Sequence, residues 1–499
     1  MRAPEPDRRT FASRTPTNEN PERGGYRRGF VTRHQVSGWR FVMRRIASGV
    51  ALHDTRMLVD PLRTQSRAVL VGALILVTGL AGCFIFSLIR PSGVAGNDAV
   101  LADRDTAALY VKLGDQLHPV LNLTSARLIA GRADNPTMVK TSELDQFPRG
   151  NLLGIPGAPE RLVQNMTRDA DWTVCDTVSG ASVGVTLIAG RPADGGERAT
   201  ALPTRDAVLV ENQGRTWLLW DGKRSAIDLD NRAVTDALGL GVDIPAPRPI
   251  AVGLFNAVPE AQVLAAPPIP AAGEPAAYPL PTPAPVGAVV AAYQSDNTIR
   301  YYAVLREGLQ PVSPVLAAIL RNTNSFGLDQ PPRLSADQVA RMPVARSLDN
   351  GAYPSDPVTL VDAADDPVTC ARWAKPEGAT TDSLTLLSGA ALPLAEGQRT
   401  VDLVTSGSGD TARRVALPVG SGYFVDSAGS QFWISDTGVR YGVEDAKAVA
   451  ALGLSPPPLP IPWAFLAQFA AGPTLSRGDA LLAHDALSPD PKPARLETP

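Results

Sequence analysis

Cysteine and histidine are scarce: 499 residues hold three of the first and four of the second. Beyond residue 90 only His118 and His484 remain, at no metal-ligand spacing, so neither a metal nor a cofactor is expected. A phosphate-cradling loop is missing as well. The only Gly-Lys pair, Gly222-Lys223 in "WLLWDGKRSA", has Trp217 instead of glycine five residues earlier and Arg224 where Ser or Thr would meet magnesium. It reads as a hairpin turn. No Gly-x-Ser-x-Gly elbow exists, since "TSGSGD" at 405–410 lacks the first glycine. A serine triad also needs a positioned histidine. His118 is followed by Pro119 in a strand-like stretch and His484 sits near the C-terminus, so both read as packing or surface residues. The acidic pairs Asp103/Asp105 and Asp365/Asp366 lie in turn-like contexts and read as solvated charge. No catalytic residue is assigned.

Lysine is absent from the first 67 residues, which hold fourteen arginines and six acids, a formal +8. The chain as a whole is −3, which leaves −11 for residues 68–499. Between Arg67 and Arg90 lie 22 uncharged residues, Ala68 to Ile89. As a helix they reach about 33 Å, enough to cross a hydrocarbon core of about 30 Å. Leu80-Ala81-Gly82-Cys83 looks like a lipoprotein cleavage box. A signal peptide, however, belongs at the extreme N-terminus, and this apolar run continues through Phe84, Ile85, Phe86, Leu88 and Ile89. A retained single-pass anchor is the expectation. The basic arm then lies in the cytoplasm and the body beyond the span is exported to the far side. There Cys175 and Cys370, the two cysteines outside the span, read as one disulfide. At 44% hydrophobic and 19% charged, that body can build folded cores.

Residues 1–30 contain almost nothing to bury and read as a disordered tail. A helical arm follows over 31–67. Trp39, Met43, Ile46 and Val50 recur at helical spacing, with Arg40, Arg44 and Arg45 on or beside the opposite face. Asp60-Pro61 predicts a break, and Pro61 begins a second helix running through Arg63 and Arg67 into the span at 68–89. A basic amphipathic helix before a span suits anionic lipid or a cytoplasmic partner. Trp39, Arg40, Arg44, Arg45, Arg56 and Arg63 are the candidate cytoplasmic interface; for Arg63 and Arg67, plain boundary charge is an equal reading.

The body repeats itself. "ALYVKLGDQLHPVLNLTSARLIAG", "TWLLWDGKRSAIDLDNRAVTDALGL", "RYYAVLREGLQPVSPVLAAIL" and "QFWISDTGVRYGVEDAKAVAALGL" each read as strand, turn, strand, helix, with turns at Gly114, Gly222, Gly308 and Gly438. A weaker helix-then-proline echo follows in "ELDQFPRG", "GLFNAVPE" and "QVARMPVA", and without proline in "FLAQFAAG". Cys175 lies 61 residues after Gly114, and Cys370 lies 62 after Gly308, each inside a similar β-rich insert. The expected plan is therefore a duplicated α/β body. Repeats at 100–160, 213–266, 287–355 and 431–486 flank one central β domain, built from 165–212 and 356–430 and tied by Cys175–Cys370. Residues 245–285 hold twelve prolines, so 267–286 reads as a stiff, extended connector, and 487–499 as a tail.

The segments "HQVSGWRF", "DTRMLVDPLRTQSRA", "ADRDTAALYVKLGDQLHPVLNLTSARLI", "GNLLGIPGAP", "WTVCDTV" and "GPTLSRGDALLAHD" strongly resemble the EccB family of mycobacterial type VII (ESX) secretion. The resemblance runs from residue 26 onward, and the arm "RRGFVTRHQVSGWRFVMRRIA" looks most like members from the iron-acquisition-linked ESX system. It implies one span, four repeats around a disulfide-bonded β domain, and bodies that associate with each other in the periplasm. It also implies partners: an FtsK-like ATPase (EccC), EccD, EccE and a mycosin protease, with the membrane and no nucleic acid. The expected function is a structural and assembly subunit of the secretion complex. Two alternatives stand beside it: an ATPase subunit with a non-standard nucleotide site, and a cell-envelope-binding receptor.

Overall fold

The computed structural model describes residues 32–53, 61–89, 93–294, 298–404 and 411–487. The chain divides after Ser92 into two compact units. In the first, helix α1 (Arg33–Leu52) starts at a capping box: Thr32 accepts from the Gln35 amide, and the Gln35 side chain accepts from the Thr32 amide. It ends at His53, whose φ of 52° is left-handed, and so stops short of the break expected at Asp60-Pro61; residues 54–60 lie outside the described ones. Helix α2 (Pro61–Ile89) begins at Pro61 and contains the membrane-length apolar stretch Gln65–Phe86, none of it buried. Its one hydroxyl in mid-span needs no outside partner: Thr78 Oγ1 donates to the carbonyls of Leu74 and Ile75.

In the second unit four sheets share one strand order. The first has strands Val100–Asp103, Leu109–Leu113 and Gln116–Pro119, then helix α3 (Leu123–Ala130), strand Thr137–Val139 and helix α4 (Thr141–Leu144). The three leading strands pair antiparallel in sequence, and the fourth returns parallel to the first. The second sheet repeats this order with Asp206–Asn212, Arg215–Trp220, Lys223–Ala226, α5 (Arg232–Ala237), Arg248–Pro249 and α6 (Val252–Ala257). The third uses Val289–Tyr293, Ile299–Val304, Leu309–Val312, α7 (Pro314–Thr323), Arg333–Leu334 and α8 (Ala336–Ala340). The fourth uses Tyr423–Ser427, Ser430–Ile434, Val439–Val443, α9 (Ala446–Leu452), Leu459–Pro460 and α10 (Trp463–Leu466). After its second helix each segment comes back parallel to the third strand, at Leu117–Arg149, Arg224–Glu260, Leu309–Val344 and Arg440–Ala471.

Two boundaries differ from the sequence expectation. Asp206–Asn212 and Tyr423–Ser427 were expected in the central domain, yet each is the leading strand of its own sheet. The hairpins that join them onward, Gln213-Gly214 and Ala428-Gly429, have positive φ at both positions, which is type I′ geometry without the usual Asn-Gly or Asp-Gly signature. The Pro-rich connector also departs from a free spacer. Ala276, Tyr278 and Leu280 cover a face of the third sheet, the Gly273 amide donates to the Val286 carbonyl, and the Val286 amide donates to the Glu274 carbonyl. Burial there pushes the Tyr278 phenol up to about 12.

Both halves contribute to the central seven-stranded sheet. Its middle is Ala170–Thr177 against Val368–Lys375, eight antiparallel pairs with Cys175 opposite Cys370 and Trp172 opposite Trp373. The second and fourth sheets share one core with it, through residues such as Val210, Trp217, Trp172 and Phe465. The second sheet packs onward to the third through α5 and α7; the fourth packs onward to the first through α3 and α9. The order across the unit is thus third, second, centre, fourth, first.

Candidate assembly site

At the centre, Cys175 and Cys370 form a disulfide with 4.0 Å between Cα atoms, joining positions 195 apart. Both are fully buried. Their neighbours Asp176 and Thr369 face each other in the same ladder and receive Arg248 from the second sheet. Arg248 Nη2 donates to Asp176 Oδ2 at 2.8 Å and Nη1 to Thr369 Oγ1 at 2.6 Å, while the Ala251 amide donates to the same carboxylate oxygen. Burial lowers the Arg248 guanidinium from its ordinary value, and Asp176 opposes that shift. The fourth sheet has Leu459 where the second has Arg248, and the contact with the centre is made instead by Trp172 Nε1 donating to Pro460 O. Composition and periodicity give no sign of this clamp. The nearest signal is the shared pattern Arg248-Pro249-Ile250 and Leu459-Pro460-Ile461.

The four turn glycines each lie between the second and third strands of their sheets. Gly114, Gly222 and Gly438 have φ of 61°, 72° and 81°; Gly308 does not have a positive φ, and there a Cβ would strike the Pro343 carbonyl instead. Gly222-Lys223 is such a turn, with Asp221 also at positive φ. Lys223 bonds the Gly351 carbonyl and lies 4.0 Å from the Trp220 ring centroid. The two histidines of the body grip one segment from two sides: His118 Nδ1 meets Asn151 O, and His484 Nε2 meets Gly154 O. No group of three His, Cys, Asp or Glu able to hold a metal occurs among the described residues.

On α1 the apolar side chains are open, Trp39 being 66% exposed, and Arg40, Arg44 and Arg45 are exposed too. Arg63 lies on α2, and Arg56 lies outside the described residues. What the chain offers chemically is surface, a span and a tied junction.

A family model described as type VII secretion system ESX-1, transport TM domain B, matches residues 28–489. A protein named ESX-3 secretion system ATPase EccB3 from Mycolicibacterium smegmatis is 69% identical over 507 residues, covering 98% of each chain. Its namesake from Mycobacterium tuberculosis is 64% identical over 519 residues, covering 98% of this chain and 96% of that one. Among solved structures, the EccB3 dimer from the ESX-3 core complex matches with a TM-score of 0.71 at 64% identity, over 77% of this chain and all of that one. A chain of an intact ESX-5 inner membrane complex matches with a TM-score of 0.75 at 38% identity, over 95% of this chain and all of that one.

Proposed function

The chain belongs to the EccB family of type VII secretion, and from that premise we propose that it is the EccB subunit of an ESX-3-type inner-membrane complex. The observation that carries this is whole-length likeness: 69% identity across 98% of both chains to an ESX-3 protein. Its work is assembly. The span anchors it, the basic arm stays cytoplasmic, and the α/β body projects into the periplasm, where it meets a second copy as its solved relative does. Partners in the membrane are the EccC-type ATPase, EccD and EccE, with a mycosin protease, and the exported substrates serve iron uptake. The names of the relatives include the word ATPase. No phosphate loop supports carrying that word over, and Gly222-Lys223 serves a hairpin.

We read the four like-ordered sheets as copies of one unit. This is supported by the common strand order and by the matching returns at Arg149, Glu260, Val344 and Ala471. The bounds are 100–160, 206–266, 287–355 and 423–486, around a central β domain. On the arm, Trp39, Arg40, Arg44, Arg45, Arg56 and Arg63 form the cytoplasmic interface.

The test is co-purification. Trp39→Ala with Arg44→Glu and Arg45→Glu should release the protein from its complex yet leave it in the membrane, because α2 alone suffices for insertion. Normal yield of the complex from the triple variant would refute the arm's role.

A further inference from the structure

Arg224 and Arg440 occupy the same place in the second and fourth sheets. Each lies on the third strand and pairs in parallel register with the returning segment, opposite Glu260 in one and Ala471 in the other. Around Arg224 the site is closed. Its guanidinium donates to the Phe255 and Val258 carbonyls, pairs with Glu260 at 3.3 Å, and stacks 4.1 Å from the Phe255 ring centroid.

At Arg440 alanine stands in place of the acid. Among the described residues its guanidinium has no hydrogen bond and no carboxylate; Nε is buried without a partner in both arginines, but only Arg224 has its Nη atoms engaged. Its one neighbour of note is the Trp463 ring, 5.1 Å away. Trp463 is 54% exposed, and Phe432 lies 6.2 Å from it. Burial lowers the guanidinium of Arg440 with no charge opposing, whereas Asp134, Glu260 and Asp176 oppose the same effect at Arg127, Arg224 and Arg248.

A part-buried cation without an acceptor costs stability, and an exposed tryptophan beside it adds apolar surface to water. A carboxylate brought by another polypeptide to the place Glu260 fills would relieve both. The sheet ends alongside at the edge strand Ala470–Ala471, to which an extended segment can add. We propose that Arg440, Trp463 and Phe432 form a docking site for an extended acidic peptide segment of a partner protein. Its Glu or Asp side chain pairs with Arg440, and the adjoining apolar side chain lies on Trp463.

The test is fluorescence anisotropy on the full chain in detergent, with two labelled probes: the pentapeptide Val-Glu-Val-Glu-Val, acetylated and amidated, and its Gln counterpart. The Glu probe should bind at least about tenfold more tightly than the Gln probe, and Arg440→Met or Trp463→Ala should each remove that preference. Arg224→Met should leave it intact. Arg440→Glu should shift the preference to a Lys-bearing probe. Thermal melting separates docking from folding: Arg440→Met should lower Tm much less than Arg224→Met, because the first gives up only the Trp463 ring contact while the second strips two carbonyls and a carboxylate of their partner. Equal binding of the two probes, or a Tm loss at Arg440→Met matching that of Arg224→Met, overturns the proposal. So does conversion of a dimer to a monomer by Arg440→Met, which would make a second copy the occupant.

Discussion

Arg248 and Asp176 are only 5% and 6% exposed at their side chains, so each depends on the other for its hydration to be replaced. Removing one partner of such a pair leaves a buried, uncompensated charge and costs about 3–5 kcal/mol. Arg248→Met should therefore lower the denaturation midpoint of the full chain sharply, and adding Asp176→Asn should restore part of the loss. Arg341 and Asp337, at 75% and 63% exposed, form the contrasting case, where exposed pairs contribute roughly 0–1 kcal/mol. A melt of Arg248→Met within a degree of the parent would remove the clamp from the account. This residue pair was not legible in the sequence. Asp176 lies 72 positions from Arg248, and burial arises only once the second sheet docks on the centre. The disulfide was legible, because the body has only two cysteines and a compartment that oxidises them.

Elements were legible where local chemistry spoke. Asp221-Gly222 carries the type I′ signature, and the Ala/Leu-rich segments read as helices in the right places. Leading strands joined by Gln213-Gly214 and Ala428-Gly429 did not announce their partners, so their sheet membership had to come from tertiary pairing. The missing proline of the fourth unit has a local explanation. Pro148, Pro259 and Pro343 present only a carbonyl to the third strand, bonding Leu117, Arg224 and Leu309. Ala470, at the same place, also donates its amide to Gly438 O at 3.0 Å. Ala470→Pro should cost about 1 kcal/mol, one net hydrogen bond, and speed amide exchange along Val439–Val443 without touching the second sheet. Unchanged exchange there would mean that the extra bond contributes nothing.

At the scale of the whole body, two pairs of sheets flank a centre that both halves build. The disulfide is the covalent tie across that centre, and its closed loop of 195 positions corresponds to about 5 kcal/mol in the chain-entropy picture, an upper figure. Cys175→Ser should lower Tm but leave membrane insertion and the eight-pair ladder intact, as native-state exchange of Ala170–Thr177 would report. Cleavage by protease should not rise at 267–285, because that segment is packed on the third sheet. The outer joints differ in how they are held. The second and third sheets are joined by the covalent connector as well as by α5 and α7. The fourth and first are joined by α3 and α9 and by the chain's last described stretch. There helix α11 (Arg477–Ala480) sets Arg477 Nε on Ile129 O, and Ala483–His484 pairs with Leu152–Leu153. Leu475 and Ala480 are fully buried in that joint. Ending the chain after Gly472 removes these contacts while sparing every strand of the fourth sheet. Amide exchange in α3 should then rise by about an order of magnitude or more, since each 1.4 kcal/mol lost from an opening equilibrium is tenfold. Exchange in α7, at the opposite joint, should stay at its parent rate. Equal acceleration in both helices would mean that the body opens as one unit, and the tail would then be a part of the global core and not a clasp on the first sheet.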